Sequence, residues 1–139
     1  MNRPADRFDE SRGHPRLGVR RTILVVEKEA AIRELISEML EGGDFEVVTL
    51  ASAGEALGFK GPHGNNLDLL LTEAYPDGLS IQELSRLLHK QYPRLKILIM
   101  SGKFDEGFAA MLGNHVDRLF LLKPFTRRNL LKKIADILG

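Results

Sequence analysis

The sequence contains no cysteine and no tryptophan, and aromatic residues make up only 6% of it. The absence of cysteine excludes disulfides, cysteine-ligated metal sites and a thiol nucleophile, and it is compatible with a reducing cytoplasm. No apolar run approaches the roughly 18 residues that a membrane-spanning helix needs, and the N-terminus lacks the apolar segment of a signal peptide. We therefore expect a cytoplasmic protein that has no membrane partner.

Net charge is also scarce, because 20 Lys and Arg balance 19 Asp and Glu to give +1. That total argues against nucleic acid as a partner. The balance is uneven along the chain, since residues 1–21 contain six Arg and three acids, a net of +3. We interpret residues 1–21 as a flexible basic arm, a solvated tail rather than a nucleic-acid contact, because they lack apolar periodicity and mix acids with the arginines. Residues 22–139 carry 14 basic and 16 acidic side chains and form the folded domain.

Five apolar runs alternate with helical patterns in the folded domain. The runs cover residues 23–26, 45–50, 67–72, 96–100 and 119–122. The helical patterns that follow them cover residues 32–40, 52–57, 80–88, 106–112 and 130–138. Runs that are apolar throughout are typical of strands covered on both faces, as in a parallel sheet between two layers of helices. Right-handed crossovers between such strands predict an open, doubly wound α/β sandwich.

Polar side chains follow four of the five apolar runs. In chain order they are Glu27, Lys28, Glu73, Ser101 and Lys123, and Pro124 directly follows the last of them. The carboxyl ends of parallel strands meet at one edge of the sheet, where ligands bind in this architecture. Each of these residues alone is an ordinary loop residue, but together they predict a functional site at that edge. Asp68 lies near the start of the third run and is expected at the opposite edge.

These motifs resemble those of the receiver domain of two-component response regulators over residues 22–139. The matching segments are Ile23–Glu27, Ser52–Leu57, Asp68–Glu73, Met100–Gly102 and Lys123–Phe125. The resemblance implies a flavodoxin-like (βα)5 three-layer α/β sandwich whose parallel five-stranded sheet has the order 2-1-3-4-5. It also implies a role in bacterial two-component, or phosphorelay, signal transduction.

The resemblance further implies roles for individual positions. In that family, an Asp that ends the third strand accepts a phosphoryl group from a kinase phosphohistidine, and it binds Mg²⁺ together with two acids that follow the first strand. Ser101, Phe120 and Lys123 match the positions that bind the phosphoryl group or move on activation. Pro124 is the candidate for a cis peptide bond, because only a bond to proline adopts the cis form at modest cost.

The sequence departs from the family at two positions of this site. Glu73 occupies the phosphoacceptor position, and Lys28 replaces the second metal-binding acid, next to Glu27. With Lys123, these groups carry no net charge, whereas the three acids and one Lys of the family carry −2, so no divalent cation is required here. The Glu73 carboxylate also lies one bond further out, about 1.5 Å, and a misplacement of about 1 Å can already cost about a hundredfold in rate.

We therefore predict an atypical receiver, or pseudo-receiver, that has no catalytic residue, no metal site and no cofactor, with Mg²⁺ binding absent or weak. It should not be phosphorylated by the family mechanism. Glu73 is expected to pair with Lys123, and with Lys28, in a contact that fixes one conformation. Erosion of the site without such a contact is the other interpretation, and modification at Glu73 or at Asp77 is a further alternative.

An enzyme or a cofactor-binding module on the same fold is disfavoured. None of the four histidines follows a strand, so Ser101 has no base for nucleophilic catalysis. The segment Glu27–Glu29 lacks the small residues of a flavin phosphate loop, and the nucleotide-binding motif GxxxxGK[ST] is absent.

The partners that the resemblance implies are proteins: a sensor histidine kinase, a phosphotransfer protein or an output protein. A homodimer is also implied, through the face formed by the predicted helix at residues 106–112, the fifth strand and the last helix. We expect either a stand-alone receiver or a segment of a larger protein, and the start at Met1 favours the former.

Overall fold

A computed structural model describes residues 20–60, 67–74, 76, 79–102, 110 and 119–139. Its elements are β1 (Arg21–Val26), α1 (Ala30–Leu40), β2 (Phe45–Leu50), α2 (Ala53–Leu57), β3 (Leu69–Glu73), α3 (Ile81–Gln91), β4 (Lys96–Ser101), β5 (Phe120–Leu122) and α4 (Arg127–Leu138). Asp77, residues 1–19 of the predicted arm and, apart from Ala110, the predicted helix at 106–112 lie outside the described residues.

All neighbouring strands of the sheet are parallel, and their order is β2-β1-β3-β4-β5. This confirms the predicted flavodoxin-like order. In the strand register, Val26 pairs with both Leu50 and Thr72, and Ser101 pairs with Leu122. The carboxyl ends of the strands therefore meet at one edge, as expected for parallel strands joined by crossovers.

The sheet separates two layers of helices, which explains why β1 and β3 are buried and largely apolar on both faces. Alternate residues of β1 point to opposite faces. Ile23 and Val25 join the buried cluster beneath α1 and α4, whose members include Ile36, Leu40, Leu130 and Ile134. Leu24 and Val26 join the cluster beneath α2 and α3, whose members include Ala56, Leu84, Leu88 and Tyr92. Burial of both faces makes this a three-layer sandwich.

The edges of the elements differ slightly from the predicted ones. Arg21, counted in the arm, is the first residue of β1, and β3 begins at Leu69 rather than at residue 67. Asp68 directly precedes β3 and binds the start of β1: its Oδ2 accepts the N–H of Thr22 at 2.8 Å, and its own N–H donates to the Thr22 carbonyl at 3.0 Å. Asp68 thus lies at the edge opposite the site, as predicted.

Three helices begin at a side-chain cap. The hydroxyls of Ser52, Ser80 and Thr126 each accept the N–H three residues later, which satisfies one of the donors that a helix start leaves unpaired. The Arg127 Nε also donates to the Met39 carbonyl at 2.8 Å, which links the start of α4 to the end of α1. No helix in the described part of the chain has both the length and the apolarity that crossing a membrane requires.

Two leucines of α1 provide a matched test of the core. Leu40 is 1% exposed in the cluster beneath α1 and α4, whereas Leu35 is 49% exposed. We expect Leu40→Ala to lower the free energy of unfolding by about 2–5 kcal/mol, because it leaves a cavity. Leu35→Ala should change it by no more than about 0.5 kcal/mol. Urea unfolding followed by circular dichroism measures both, and equal losses would contradict the observed packing.

Candidate functional site

The predicted site residues do converge at the carboxyl edge of the sheet. Glu27 directly follows β1, Glu73 ends β3, Ser101 ends β4 and Lys123 follows β5. Main-chain hydrogen bonds extend the sheet into the site: the N–H of Glu27 donates to the Leu50 carbonyl at 3.0 Å, and that of Lys123 donates to the Ser101 carbonyl at 2.7 Å. The backbones that carry these side chains are therefore held by the sheet itself.

Glu27 and Lys123 form an ion pair in which the carboxylate is almost fully buried. The Lys123 Nζ lies 2.9 Å from Glu27 Oε1, and the side chains of Glu27 and Lys123 are 1% and 23% exposed. The second oxygen, Glu27 Oε2, accepts the main-chain N–H of Glu29 at 3.2 Å. Both oxygens of Glu27 are thus bound by donors, which is the condition under which a buried carboxylate is tolerated.

Glu73 binds the backbone of the β1–α1 loop rather than a lysine side chain. Its Oε2 accepts the N–H of Lys28 at 2.8 Å. The predicted pair between Glu73 and Lys123 does not form: the ion pair of the Lys123 ammonium is with Glu27, and Lys123 acts on Glu73 only as a nearby charge. The expected pair with the Lys28 side chain is replaced by this main-chain contact, and that side chain is exposed.

The pKa of Glu73 is raised above its ordinary value. Burial, which leaves the residue 7% exposed, is the main cause, and the nearby charge of Glu27 adds to it. The hydrogen bond from the Lys28 N–H acts in the opposite direction, as do the charges of Lys28 and Lys123. Burial therefore makes ionisation of Glu73 less favourable, and the neighbouring donors offset only part of that effect on its pKa.

Arg33, in the first turn of α1, is part of this site although the sequence patterns did not single it out. Its Nη1 donates to the carbonyl of Glu27 at 2.7 Å and lies 3.1 Å from the carbonyl of Lys28. A cation placed one turn into a helix after a strand can reach back to the connecting loop. From sequence alone, however, such an arginine is indistinguishable from one on a solvated helix face.

Ser101, Phe120 and Pro124 complete the predicted set. Ser101 and Phe120 are both buried, and Phe120 packs with Ala74, Ile81 and Ile99. The Lys123–Pro124 peptide bond is cis, as the sequence predicts. The part of Ser101, Phe120 and Lys123 in a phosphoryl switch stays a prediction, since no phosphoryl group is present to test it.

The donor set does not fit a divalent cation. Among the described residues, no group of three acidic or histidine side chains is placed to bind a metal ion. Both oxygens of Glu27 are occupied by an ammonium and an N–H, and one oxygen of Glu73 is occupied by another N–H. Mg²⁺ in proteins is bound by carboxylate oxygens together with waters, and the carboxylates here already accept from protein donors beside the positive charge of Lys123.

The raised pKa of Glu73 predicts how the variant Glu73→Gln responds to pH. Its pKa is higher in the folded than in the unfolded chain, so wild type loses stability as pH rises from the unfolded value through the folded one. Glutamine keeps an acceptor for the Lys28 N–H and does not ionise. The stability of Glu73→Gln relative to wild type should therefore increase between pH 4 and pH 7, as measured by urea unfolding.

The matched control for that measurement is Glu38→Gln, which removes an exposed carboxylate from α1. Its stability relative to wild type should vary less over the same pH range because its side chain lies in water. A relative stability of Glu73→Gln that falls with pH, or that follows the control, would show that burial of Glu73 has no energetic consequence.

Removal of the Lys123 ammonium should lower the stability of the fold, because it leaves the buried Glu27 carboxylate without its ion-pair partner. We expect Lys123→Met to lower the free energy of unfolding by roughly 1–3 kcal/mol, less than for a fully buried pair because Lys123 retains some exposure. Addition of Glu27→Gln should restore much of that loss. Lys132→Met, which breaks an exposed pair with Asp136, is the control and should cost less than about 1 kcal/mol. Urea unfolding that finds equal losses would refute this account.

The whole domain matches the family model described as "Response regulator receiver domain", over residues 23–135. Similar curated proteins include the response regulator protein FleR of Pseudomonas aeruginosa, 32% identical over 115 residues, which make up 81% of this chain and 24% of that protein. The sensor kinase CckA of Brucella abortus is 29% identical over 84% of this chain and 12% of its own length. The chain thus spans about a quarter or less of these relatives.

Solved structures agree with this match. A receiver domain from Clostridium thermocellum is 28% identical and superposes with a TM-score of 0.70, covering 83% of this chain and 91% of that one. The chemotaxis response regulator CheY4 of Vibrio cholerae, 22% identical, shows the same fold with a TM-score of 0.70 over 86% of this chain and 100% of its own. The chain therefore belongs to the response regulator receiver domain family of two-component systems.

Proposed function

We propose that this chain is an atypical receiver domain that acts through protein–protein interaction without being phosphorylated. The observation that carries the proposal is that the charged groups at the phosphoacceptor edge are already bound to one another or to the backbone. Lys123 is paired with Glu27, and Glu73 accepts the Lys28 N–H. A receiver domain whose site groups are bound within the chain can still signal by binding another protein.

Phosphoryl transfer depends almost entirely on positioning and on neutralisation of the developing charge. Here the carboxylate at the acceptor position is one methylene longer than an aspartate and points at a loop N–H. The lysine that would neutralise a phosphoryl group is instead neutralised by Glu27. The two groups that the reaction would need, the Glu73 carboxylate and the Lys123 ammonium, are each engaged in another contact within the chain. These contacts favour complete loss of phosphoryl transfer over a slower reaction.

The same contacts support a fixed conformation rather than an eroded site. Erosion would leave charged groups without partners, whereas Glu27 has two donors and the Glu73 carboxylate has one. The Glu27–Lys123 pair joins the loops that follow β1 and β5, and the Glu73–Lys28 bond joins β3 to the β1–α1 loop. Movement of one loop therefore requires breaking a contact to another element.

The proposed setting is cytoplasmic two-component signalling, with a sensor histidine kinase, a phosphotransfer protein or an output protein as the partner. Receiver domains interact with kinases and other proteins, and one similar protein is named a sensor kinase. Binding without accepting a phosphoryl group would make the chain a competitor or a scaffold. The proposal also includes a homodimer, to whose interface α4 would contribute the exposed Arg127, Arg128 and Lys132.

The phosphorylation-independent proposal is tested by titrating the ¹⁵N-labelled chain with beryllofluoride, a phosphoryl mimic, in the presence of Mg²⁺. We expect no chemical-shift changes at Glu73, Ser101 or Lys123 at sub-millimolar Mg²⁺, because Glu27 and Glu73 already accept from protein donors and the Lys123 ammonium lies beside them. The double variant Glu73→Asp/Lys28→Asp serves as the positive control, since it restores both acids. Saturable changes in the wild-type chain would contradict the proposal and would favour modification at Glu73 or Asp77.

The partner proposal is tested by a pull-down of histidine kinases and phosphotransfer proteins with wild type and with Glu73→Asp/Lys28→Asp. We expect wild type to capture a kinase or phosphotransfer protein in the absence of Mg²⁺ and of a phosphoryl donor. If only the restored variant captures one, binding depends on the acidic site and the phosphate-independent model is wrong.

A further inference from the structure

One peptide group in the site is bound at both ends by side chains of opposite charge. The peptide bond between Glu27 and Lys28 presents its carbonyl oxygen to Arg33 Nη1, at 2.7 Å, and its N–H to Glu73 Oε2, at 2.8 Å. Arg33 belongs to α1 and Glu73 to β3. A helix and a strand that are far apart in the chain therefore bind the same planar group.

Each charge is matched to the pole of the peptide group that it faces. A peptide unit has a dipole of about 3.5 D, negative at its oxygen and positive at its N–H. The guanidinium lies at the oxygen and the carboxylate at the N–H, so both hydrogen bonds are charge-assisted and each polarises the peptide group in favour of the other. The reversed orientation would place the carbonyl against the Glu73 carboxylate, which is repulsive.

We propose that Arg33 is a positioning residue of this site, which together with Glu73 clamps the Glu27–Lys28 peptide group and holds the β1–α1 loop in one orientation. The Lys28 side chain takes no part in the clamp, because it is exposed and only its backbone is bound. The role of the clamp in partner binding rests on the proposed function, whereas its contacts do not. In that function, the clamp is what fixes the loop conformation that a partner would recognise.

The clamp makes Arg33 and Glu73 energetically coupled although no contact joins their side chains. Loss of Arg33 would free the carbonyl end of the peptide group and weaken the hydrogen bond at the N–H end. That bond is one of the influences that lower the pKa of Glu73. Arg33 should therefore affect both the Lys28 N–H and the ionisation of Glu73, and a purely structural arginine would affect neither selectively.

The test compares Arg33→Gln with Arg127→Gln in the full ¹⁵N- and ¹³C-labelled chain. Arg127 is the matched control because its Nε also donates to a main-chain carbonyl, that of Met39, at 2.8 Å. In Arg33→Gln, we expect hydrogen exchange at the Lys28 N–H to accelerate at least about tenfold, in line with a weakened charge-assisted hydrogen bond. The pKa of Glu73, read from its carboxyl ¹³C shift, should rise. Arg127→Gln should change neither.

The proposal is overturned if Arg33→Gln and Arg127→Gln give the same Lys28 exchange rate and the same Glu73 titration. Arg33→Lys and Arg127→Lys form a second pair in case Arg33→Gln does not fold. Because lysine keeps the charge but loses the planar fork, Arg33→Lys should accelerate Lys28 exchange relative to Arg127→Lys, and equal rates would again overturn the clamp.

A double-mutant cycle provides an independent readout. If the two side chains act on one peptide group, Arg33→Gln should shift the urea midpoint less in a Glu73→Ala background than in wild type. Additive shifts would contradict the clamp. None of these measurements uses beryllofluoride or Mg²⁺, so failure of the clamp and failure of the phosphorylation-independent proposal are distinguishable.

Discussion

The ion pair between Glu27 and Lys123 governs how the rest of the site is arranged. A carboxylate that is 1% exposed requires a charged or hydrogen-bonding partner, and Lys123 supplies it from a residue 96 positions away in the chain. The ion pair of the lysine is with Glu27, and the second buried acid is bound by a different donor. For Glu73 that donor is the Lys28 N–H, and the loop after β1 is thereby bound to β3 as well as to the segment after β5.

This arrangement is possible because the sheet is covered on both faces. Every strand end at the carboxyl edge continues from a segment whose side chains are packed against α1 and α4 on one side, or α2 and α3 on the other. The backbone positions of Glu27, Glu73, Ser101 and Lys123 are consequently set by the core and not by the site. Substitutions at the site can then change its chemistry while the fold is retained, which is the general relation between fold and function.

The fold could be predicted from sequence because its signal is periodic and repeated. Five largely apolar runs, each followed by a helical pattern, permit few arrangements other than a parallel sheet between helices. The convergence of Glu27, Glu73 and Lys123 followed from that topology. Which acid pairs with Lys123 did not follow, because the choice depends on side-chain distances of a few ångströms. One strand boundary also differs from the predicted one: β3 begins at Leu69 rather than at residue 67. Asp68, just before it, binds Thr22 through both its backbone and its carboxylate.

The sequence-based prediction missed the main-chain hydrogen bonds of the site more than its side-chain contacts. The sequence-based prediction considered only the ammonium of Lys28, whose charge does act on Glu73, and it missed the hydrogen bond from the Lys28 N–H to the Glu73 carboxylate. Arg33 was overlooked for a related reason, because its partners are main-chain carbonyl oxygens. Every residue has such an oxygen, so the residue type gives no sign of the contact. Residue types report side-chain chemistry, so a site built on backbone donors and acceptors is only partly visible in them.

The replacement of aspartate by glutamate at position 73 has two consequences that point in the same direction. The additional methylene moves the carboxylate about 1.5 Å outward, away from the position that in-line phosphoryl transfer requires. The carboxylate also lies 2.8 Å from the Lys28 N–H, so the end of β3 is bound to the β1–α1 loop. Under the proposed function, the longer side chain disfavours phosphoryl transfer, and its carboxylate takes part in the contact that holds the loop. The absence of phosphorylation and the fixed loop are then two results of one substitution.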